Sequence, residues 1–374
     1  MKGAFWPTRQ QRLLLETALG DRSEAEASWR ELLPGLDLQA IEDGTFAALP
    51  LVYRALDAAA PDEPLLPRLK GMYRSTWARN TLLRERFAVT ARALGSAGVP
   101  FLLVGSIGAA RRYYATLGLR PTPAIELLVR DDDVVAAVRA LGSAGWVARG
   151  PGRASDADPL VLLDDGENAC LLSTALGPDV ALPSPYGPLW DAATDLDEQG
   201  VPVKALAPTD DLLAAIVTGA RTRPAPSLQW ILDAAMIQRS VPDEIDWERL
   251  VAAGLVWGQG LRLREALEYL DGLPGVSVPA DVRRRLGARR PGRRERIGYA
   301  CSTRPLGRLG SLPQAVGEHL AETAGRTALA TIASFPGFLR RRWSLERTRQ
   351  VPLAGARRAY RVALRRRPEP VRHL

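Results

Sequence analysis

Phe101-Leu-Leu-Val-Gly-Ser-Ile-Gly-Ala-Ala-Arg-Arg-Tyr-Tyr114 and, just after it, Gly118-Leu-Arg-Pro-Thr-Pro-Ala-Ile-Glu-Leu-Leu-Val129 decide how this chain is read. The apolar run from Val99 to Val104 stops at Gly105-Ser106, and a helical stretch follows to Tyr114. Residues 118–123 carry turn signals, and Ala124 to Val129 is apolar again. The order is strand, glycine turn, helix, loop, strand. A glycine at such a turn lets a phosphate approach the backbone, a hydroxyl at the helix start adds a donor, and the helix N-terminus favours the anion. Positions 124 and 126 of the next strand share one face. Two acids there would hold divalent metals against the phosphates.

Outward from this stretch the pattern is helical on both sides. Gln10 to Leu94 shows apolar residues at helix spacing, punctuated by Pro34-Gly35 and Ala60-Pro61-Asp62. A long helix is expected over Leu69 to Ala97, with Tyr73, Trp77, Leu82, Leu83, Phe87 and Leu94 along one side. Asp131-Asp132-Asp133 opens a helix over Val134 to Ala144, where acids suit the N-terminal dipole. Trp146-Val147, Leu160 to Leu163 and Ala169 to Leu172 read as further short strands. Helical segments are expected at Asp210–Gly219, Leu228–Arg239, Asp246–Glu268 with breaks near Gly254 and Gly258, Val316–Ile332 and Ala354–Arg366. The fold class expected is α+β, a small mixed sheet with helices embedded between helical N- and C-terminal segments. The boundaries drawn are 1–96, 97–200, 201–280 and 281–374.

Composition narrows the chemistry. Two cysteines and two histidines exclude a disulfide scaffold and a Cys/His zinc cluster. A Ser-His-Asp triad finds little support, since His373 sits beside the C-terminal residue. The absence of a long apolar run or signal-peptide core makes a cytoplasmic protein the expectation. The nine tryptophans read as core and interface anchors rather than stacking platforms. Charge is uneven: residues 281–374 carry 23 Arg and six acids, a net +17, which leaves −9 for residues 1–280 of a chain whose total is +8. Such a basic segment suits an acidic partner or an anionic surface, or it is a solvated end docked on the acidic body. Phe335-Pro-Gly-Phe-Leu-Arg-Arg-Arg-Trp343 mixes aromatics with this charge. That stretch reads as a docked amphipathic end or a membrane-surface segment. Nucleic acid is not the expected partner.

The strand–turn–helix–strand stretch resembles the nucleotidyltransferase superfamily with the DNA polymerase β fold. It is most similar to the uncharacterised nucleotidyltransferase family of bacterial biosynthetic clusters, whose members read Gly-Leu-Arg-Pro-x-x-Asp-Ile-Asp-Leu-Leu-Val. The likeness extends to Leu66-Pro-Arg-Leu-Lys-Gly-Met-Tyr-Arg-Ser-Thr-Trp-Ala-Arg-Asn80, to Leu228-Gln-Trp-Ile-Leu-Asp-Ala-Ala235 and to Asp246-Trp-Glu-Arg-Leu250. The resemblance implies a polymerase β-like core, nucleotidyl transfer from an NTP to a small molecule or peptide, and Mg²⁺ as cofactor. Gly105, Ser106 and Arg120 are the implied nucleotide-binding residues, and Glu126 the implied catalytic and metal-binding one.

This chain departs from the pattern where the metals belong. Ala124 replaces the first aspartate of the Asp-x-Asp pair, and Glu126 keeps the charge of the second on a longer stem. The nearest equivalent of the third acid's strand, Cys170-Leu-Leu-Ser-Thr-Ala-Leu176, holds no acid, and Val104 stands where the turn lysine is expected. The reading is therefore a degenerate member that binds a nucleotide, metabolite or partner. Two alternatives stand beside it: Mg²⁺-dependent transfer through Glu126, with substitute acids from Asp164, Asp165 or Glu167, and an interaction protein that uses the basic segment. Residue by residue, Gly105-Ser106 is either a phosphate turn or an ordinary helix start. Glu126 is either a ligand or a solvent-facing residue, and Arg120 steadies a phosphate or pairs with an acid of the body. Arg111 and Arg112 are expected at the surface.

Overall fold

The computed structural model describes residues 5–38, 43–148, 160–177, 180, 187–221, 227–303, 312–343 and 345–364. Two capping boxes start the chain, in which the Thr8 and Asp21 side chains accept from backbone N–H groups while Gln11 and Glu24 reach back. They open α1 (Arg9–Leu19) and α2 (Arg22–Leu32). After α3 (Asp43–Phe46) and α4 (Leu49–Ala59) comes the 31-residue helix α5 (Leu66–Ser96). Gly98, at φ +64°, turns the chain out of α5 in a conformation that glycine adopts without steric cost. On α5, Leu83, Phe87 and Leu94 are buried, but Trp77 and Leu82 face solvent, so the expected single apolar side is narrower than the sequence pattern.

The next elements alternate: β1 (Leu102–Leu103), α6 (Ser106–Tyr113), β2 (Ala124–Leu128), α7 (Val134–Ser143), β3 (Val147–Ala148), β4 (Leu160–Asp164), β5 (Ala169–Ser173), α8 (Gly187–Asp191), β6 (Thr194–Glu198) and β7 (Val201–Ala205). The strands form one seven-stranded mixed sheet in the order β3-β4-β5-β2-β1-β7-β6. β2 runs antiparallel to β1 and parallel to β5, and β1 runs parallel to β7. The β6–β7 hairpin was not foreseen. Its strands are short and half charged, yet Gln199 (φ +54°) and Gly200 (φ +77°) make a two-residue turn of the kind that closes tight hairpins. The boundary at residue 200 falls inside this turn, and the sheet continues to Ala205.

Strand parity divides the interior. Leu103, Ile125, Leu127, Cys170 and Leu172 point to one side, where they pack with Phe87, Ala91 and Leu94 of α5 and Ala137 and Leu141 of α7. Leu102 and Leu128 point to the other side and join the larger core, shared by α1, α4 and the helices that follow the sheet. Residues 124 and 126 have the parity of Leu128, so they belong to that second side.

The helices after the sheet are α9 (Pro208–Gly219), α10 (Gln229–Ser240), α11 (Trp247–Val256), α12 (Gly260–Leu270), α13 (Ala280–Ala288), α14 (Arg293–Thr303), α15 (Leu312–Glu322), α16 (Ala328–Arg342) and α17 (Val351–Leu364). The expected stretch 246–268 breaks at Gly258 (φ +67°), but the other expected break, Gly254, lies inside α11. The helical pieces expected around 316–332 are α15 and α16, which Gly325 (φ +83°) separates. The last helices have a small core of their own around Ala315, Phe338, Leu339 and Val351. The chain is thus α+β, with a mixed sheet set among helices. No helix of the described residues is long and apolar enough to cross a membrane.

Candidate functional site

Gly105 joins β1 to α6 at φ +47° and ψ −135°, a backbone conformation that L side chains rarely adopt. The Val104 N–H donates to the Glu126 carbonyl at 3.1 Å and ties the turn to β2. A Cβ on Gly105 would lie 3.7 Å from Glu126 Oε2, so the Glu126 carboxylate rests against the turn. Ser106 is the first residue of α6, and its side chain lies outside the described residues. Gly105, Ser106 and Glu126 are thereby brought together.

The neighbours of Glu126 follow from the register. β2 pairs with β5 so that Ala124 lies beside Ala169, Glu126 beside Leu171 and Leu128 beside Ser173. Residues paired across strands share a face, so Ala124, Glu126 and Leu171 make one patch. Ala124 is buried, and Cys170 points to the opposite side, where burial pushes its thiol up to about 12. The three candidate substitute acids sit at the β4–β5 hairpin. Asp164, beside Ala169, accepts from the Gly166 N–H at 2.6 Å. Asp165 accepts from the Arg86 Nε at 2.6 Å and from the Asn168 and Glu167 N–H groups. Burial works against the charge on Asp165, but these donors outweigh it and hold its pKa below the ordinary value. Glu167 is exposed. Among the described residues, no group of three His, Cys, Asp or Glu side chains is placed to hold a metal ion.

On the helical side of the turn stand three buried acids that the sequence analysis does not single out, Asp210, Asp211 and Asp233. Asp211, in the first turn of α9, accepts from Arg112 Nη1 at 2.9 Å and from the Tyr113 hydroxyl at 2.8 Å. Burial pushes its carboxyl up to about 6 against the pull of Arg112, Tyr113 and the Gly105 N–H. Asp210 beside it is pushed up to about 6 by burial, against its Arg249 partner at 2.5 Å. Asp233, on α10, accepts from Arg120 Nε and Nη2, both at 2.8 Å, from the Tyr114 hydroxyl at 2.7 Å and from Gln229 at 2.9 Å. Arg120 thus pairs with an acid of the body, one of its two expected roles. Burial opposes its charge, but Asp233 prevails and raises its pKa, and Glu126 adds to the effect. Asn80 of α5 holds the Arg120 carbonyl at 2.7 Å.

Arg111 and Arg112 are not the surface residues expected. Arg112 donates to Asp211 and to the Leu206 carbonyl, and Arg111 donates to Glu198, which Arg84 grips from the other side. The buried Glu198 sits in the unforeseen hairpin, so the partner of Arg111 was invisible locally. A signal for Asp211 and Asp233 did exist. Each is an acid set among apolar residues of a helix, at positions where a solvated carboxylate has no place.

The turn therefore has Glu126 on its strand side and Asp211 on its helix side, with Arg120 and Arg112 already paired. A family model described as an uncharacterised nucleotidyltransferase matches residues 47–272, which takes in the sheet and the helices as far as α12. Neither a curated protein nor a solved structure shows a significant match.

Proposed function

The chain belongs to the uncharacterised nucleotidyltransferase family, and from that premise we propose that it is a member whose divalent-metal centre has been dismantled and which acts by binding a nucleotide, metabolite or partner. One observation carries the reading: the β2–β5 register groups Ala124, Glu126 and Leu171 on one face, where the resemblance calls for carboxylates. Two Mg²⁺ ions do not fit that set. Each is a hard cation with oxygen ligands at near-octahedral geometry, and Ala124 and Leu171 offer none. Phosphoryl transfer rests on positioning and electrostatic stabilisation. Loss of a single oxyanion donor costs about 10²–10³ in rate, and loss of two metal carboxylates is expected to cost at least as much.

In this reading Gly105 and Ser106 face the ligand, in a core of polymerase β type. The two nearby acids, Glu126 and Asp211, disfavour an unshielded triphosphate. Arg120 is a positioning residue that fixes the loop before β2 to α10 through Asp233. NTP binding measured by calorimetry is expected to be weak and indifferent to Mg²⁺. Pyrophosphate release is expected to be absent with all four NTPs, Mg²⁺ or Mn²⁺ and small-molecule or peptide acceptors. Tight Mg²⁺-dependent binding, or release of pyrophosphate, overturns the reading. Either result favours the second reading, Mg²⁺-dependent transfer, which rests on the contact of Glu126 with the turn and on the readiness of Mg²⁺ to use one protein carboxylate plus substrate phosphates. In that case Glu126→Gln abolishes the release.

A further inference from the structure

We propose that the exposed face of α16 docks on an anionic membrane surface, a role outside the family-matched region and independent of the chemistry at the turn. Within α16 the aromatic residues flagged by the sequence turn inward. Phe335 and Phe338 pack against the buried His319, with ring centroids 5.2 and 4.9 Å away, and Trp343 lies against the same small core. What faces solvent is aliphatic: Leu329 is 81% exposed and Ile332 71%. Residues 329, 332, 333, 336 and 340 fall on one stripe of the helix, and Ala333 and Pro336 on it are also exposed. The stripe holds no acid. Arg326 precedes it and Arg340 closes it.

The charge of the segment that carries the stripe is one-sided. In this part of the chain Glu318 and Glu322 are consumed by ion pairs to Arg342 and Arg341. Arg326, Arg340, Arg347, Arg349 and Arg357 form no ion pair among the described residues, against one acid there outside these ion pairs, the exposed Glu346. Two large aliphatic side chains bury far less than the roughly 1,200–2,000 Å² that a stable protein pair needs. They do suit an interfacial helix, which dips a narrow apolar stripe below the headgroups while its arginines meet anionic lipid. The occupant that matches both the small apolar area and the excess of cations is therefore a lipid surface.

The test uses the full chain with vesicles of phosphatidylglycerol mixed with phosphatidylcholine, and with phosphatidylcholine alone. The chain is expected to sediment with the mixed vesicles only, and less so as salt is raised. Leu329→Asp with Ile332→Asp is expected to lower vesicle affinity by about tenfold or more while the melting temperature stays unchanged, because both side chains already face water. Arg326→Glu with Arg340→Glu is expected to remove the preference for anionic lipid. Unchanged binding of the Leu329/Ile332 variant overturns the proposal, and so does failure of the wild-type chain to bind the mixed vesicles. A dimer in sedimentation velocity that this variant dissociates also overturns it, by assigning the face to a second copy.

Discussion

Asp233→Ala removes the acceptor of four donors at once, Arg120 Nε and Nη2, the Tyr114 hydroxyl and Gln229 Nε2. Arg120 is 5% exposed, so its guanidinium cannot turn to water without opening the core. A buried charge stripped of its partner costs about 3–5 kcal/mol. The orphaned Tyr114 hydroxyl costs about 1–3 kcal/mol by itself. The two overlap as the site relaxes, so the expected loss is about 4 kcal/mol, a large share of the roughly 5–15 kcal/mol that holds a protein folded. Arg120→Met alone leaves Asp233 buried with Tyr114 and Gln229 and is expected to cost about 3 kcal/mol. Arg120→Met with Asp233→Ala removes both charges and is expected to cost less than the sum, a coupling of about 2–3 kcal/mol. Urea unfolding followed by tryptophan fluorescence reads these differences from midpoint and slope. If the single variants each cost under about 1 kcal/mol and add, the pair is not a buried lock, and Arg120 is left available for a phosphate.

The acids of α9 set a pH dependence. Folded Asp210 and Asp211 titrate at about 6 against an ordinary 3.8, so the folded chain holds these protons more tightly than the unfolded one. Their stabilising contribution is complete below 3.8 and lost as pH rises through 6. The melting temperature is therefore expected to rise as pH is lowered from neutrality towards 5, and Asp211→Asn to flatten that slope. Gly105→Ala has room for its methyl beside Glu126 but not the backbone freedom, and is expected to cost about 1–3 kcal/mol in thermal unfolding. Ala124→Asp with Leu171→Asp rebuilds an acidic face around Glu126. Calorimetric melting of this variant is expected to gain about 1.4 kcal/mol when Mg²⁺ is ten times its dissociation constant, with no gain in the wild-type chain. Absence of any Mg²⁺ effect in the variant would show that the face is not a vestigial metal site.

Much of the architecture was legible because it is local. The apolar run that stops at Gly105, the second run ending at Val129 and the unbroken periodicity of Leu69 to Ala97 each declare an element from neighbouring residues alone, and β1, β2 and α5 stand where they are expected. The β6–β7 hairpin escaped because Thr194-Asp-Leu-Asp-Glu198 has the polarity of a loop, and its pairing with β1 lies about a hundred residues away in sequence. The substitute acids show the same limit. Asp164, Asp165 and Glu167 precede β5 in sequence, but the hairpin bonds hold the first two at its tip.

From sequence alone came Ala124 and Glu126 on the second strand, the lack of an acid in Ala169–Ser173 and the glycine at 105, since residue identity needs no partner. Only the tertiary structure decided that Glu126 touches the turn, that Arg120 is committed to Asp233 and Arg112 to Asp211, and that Leu329 and Ile332 look outward while Phe335 looks inward. Those outcomes depend on which groups lose their water when distant segments close on one another. The cost of burying a charge or gain of burying an aliphatic chain is set by that enclosure, which no single stretch of the chain contains.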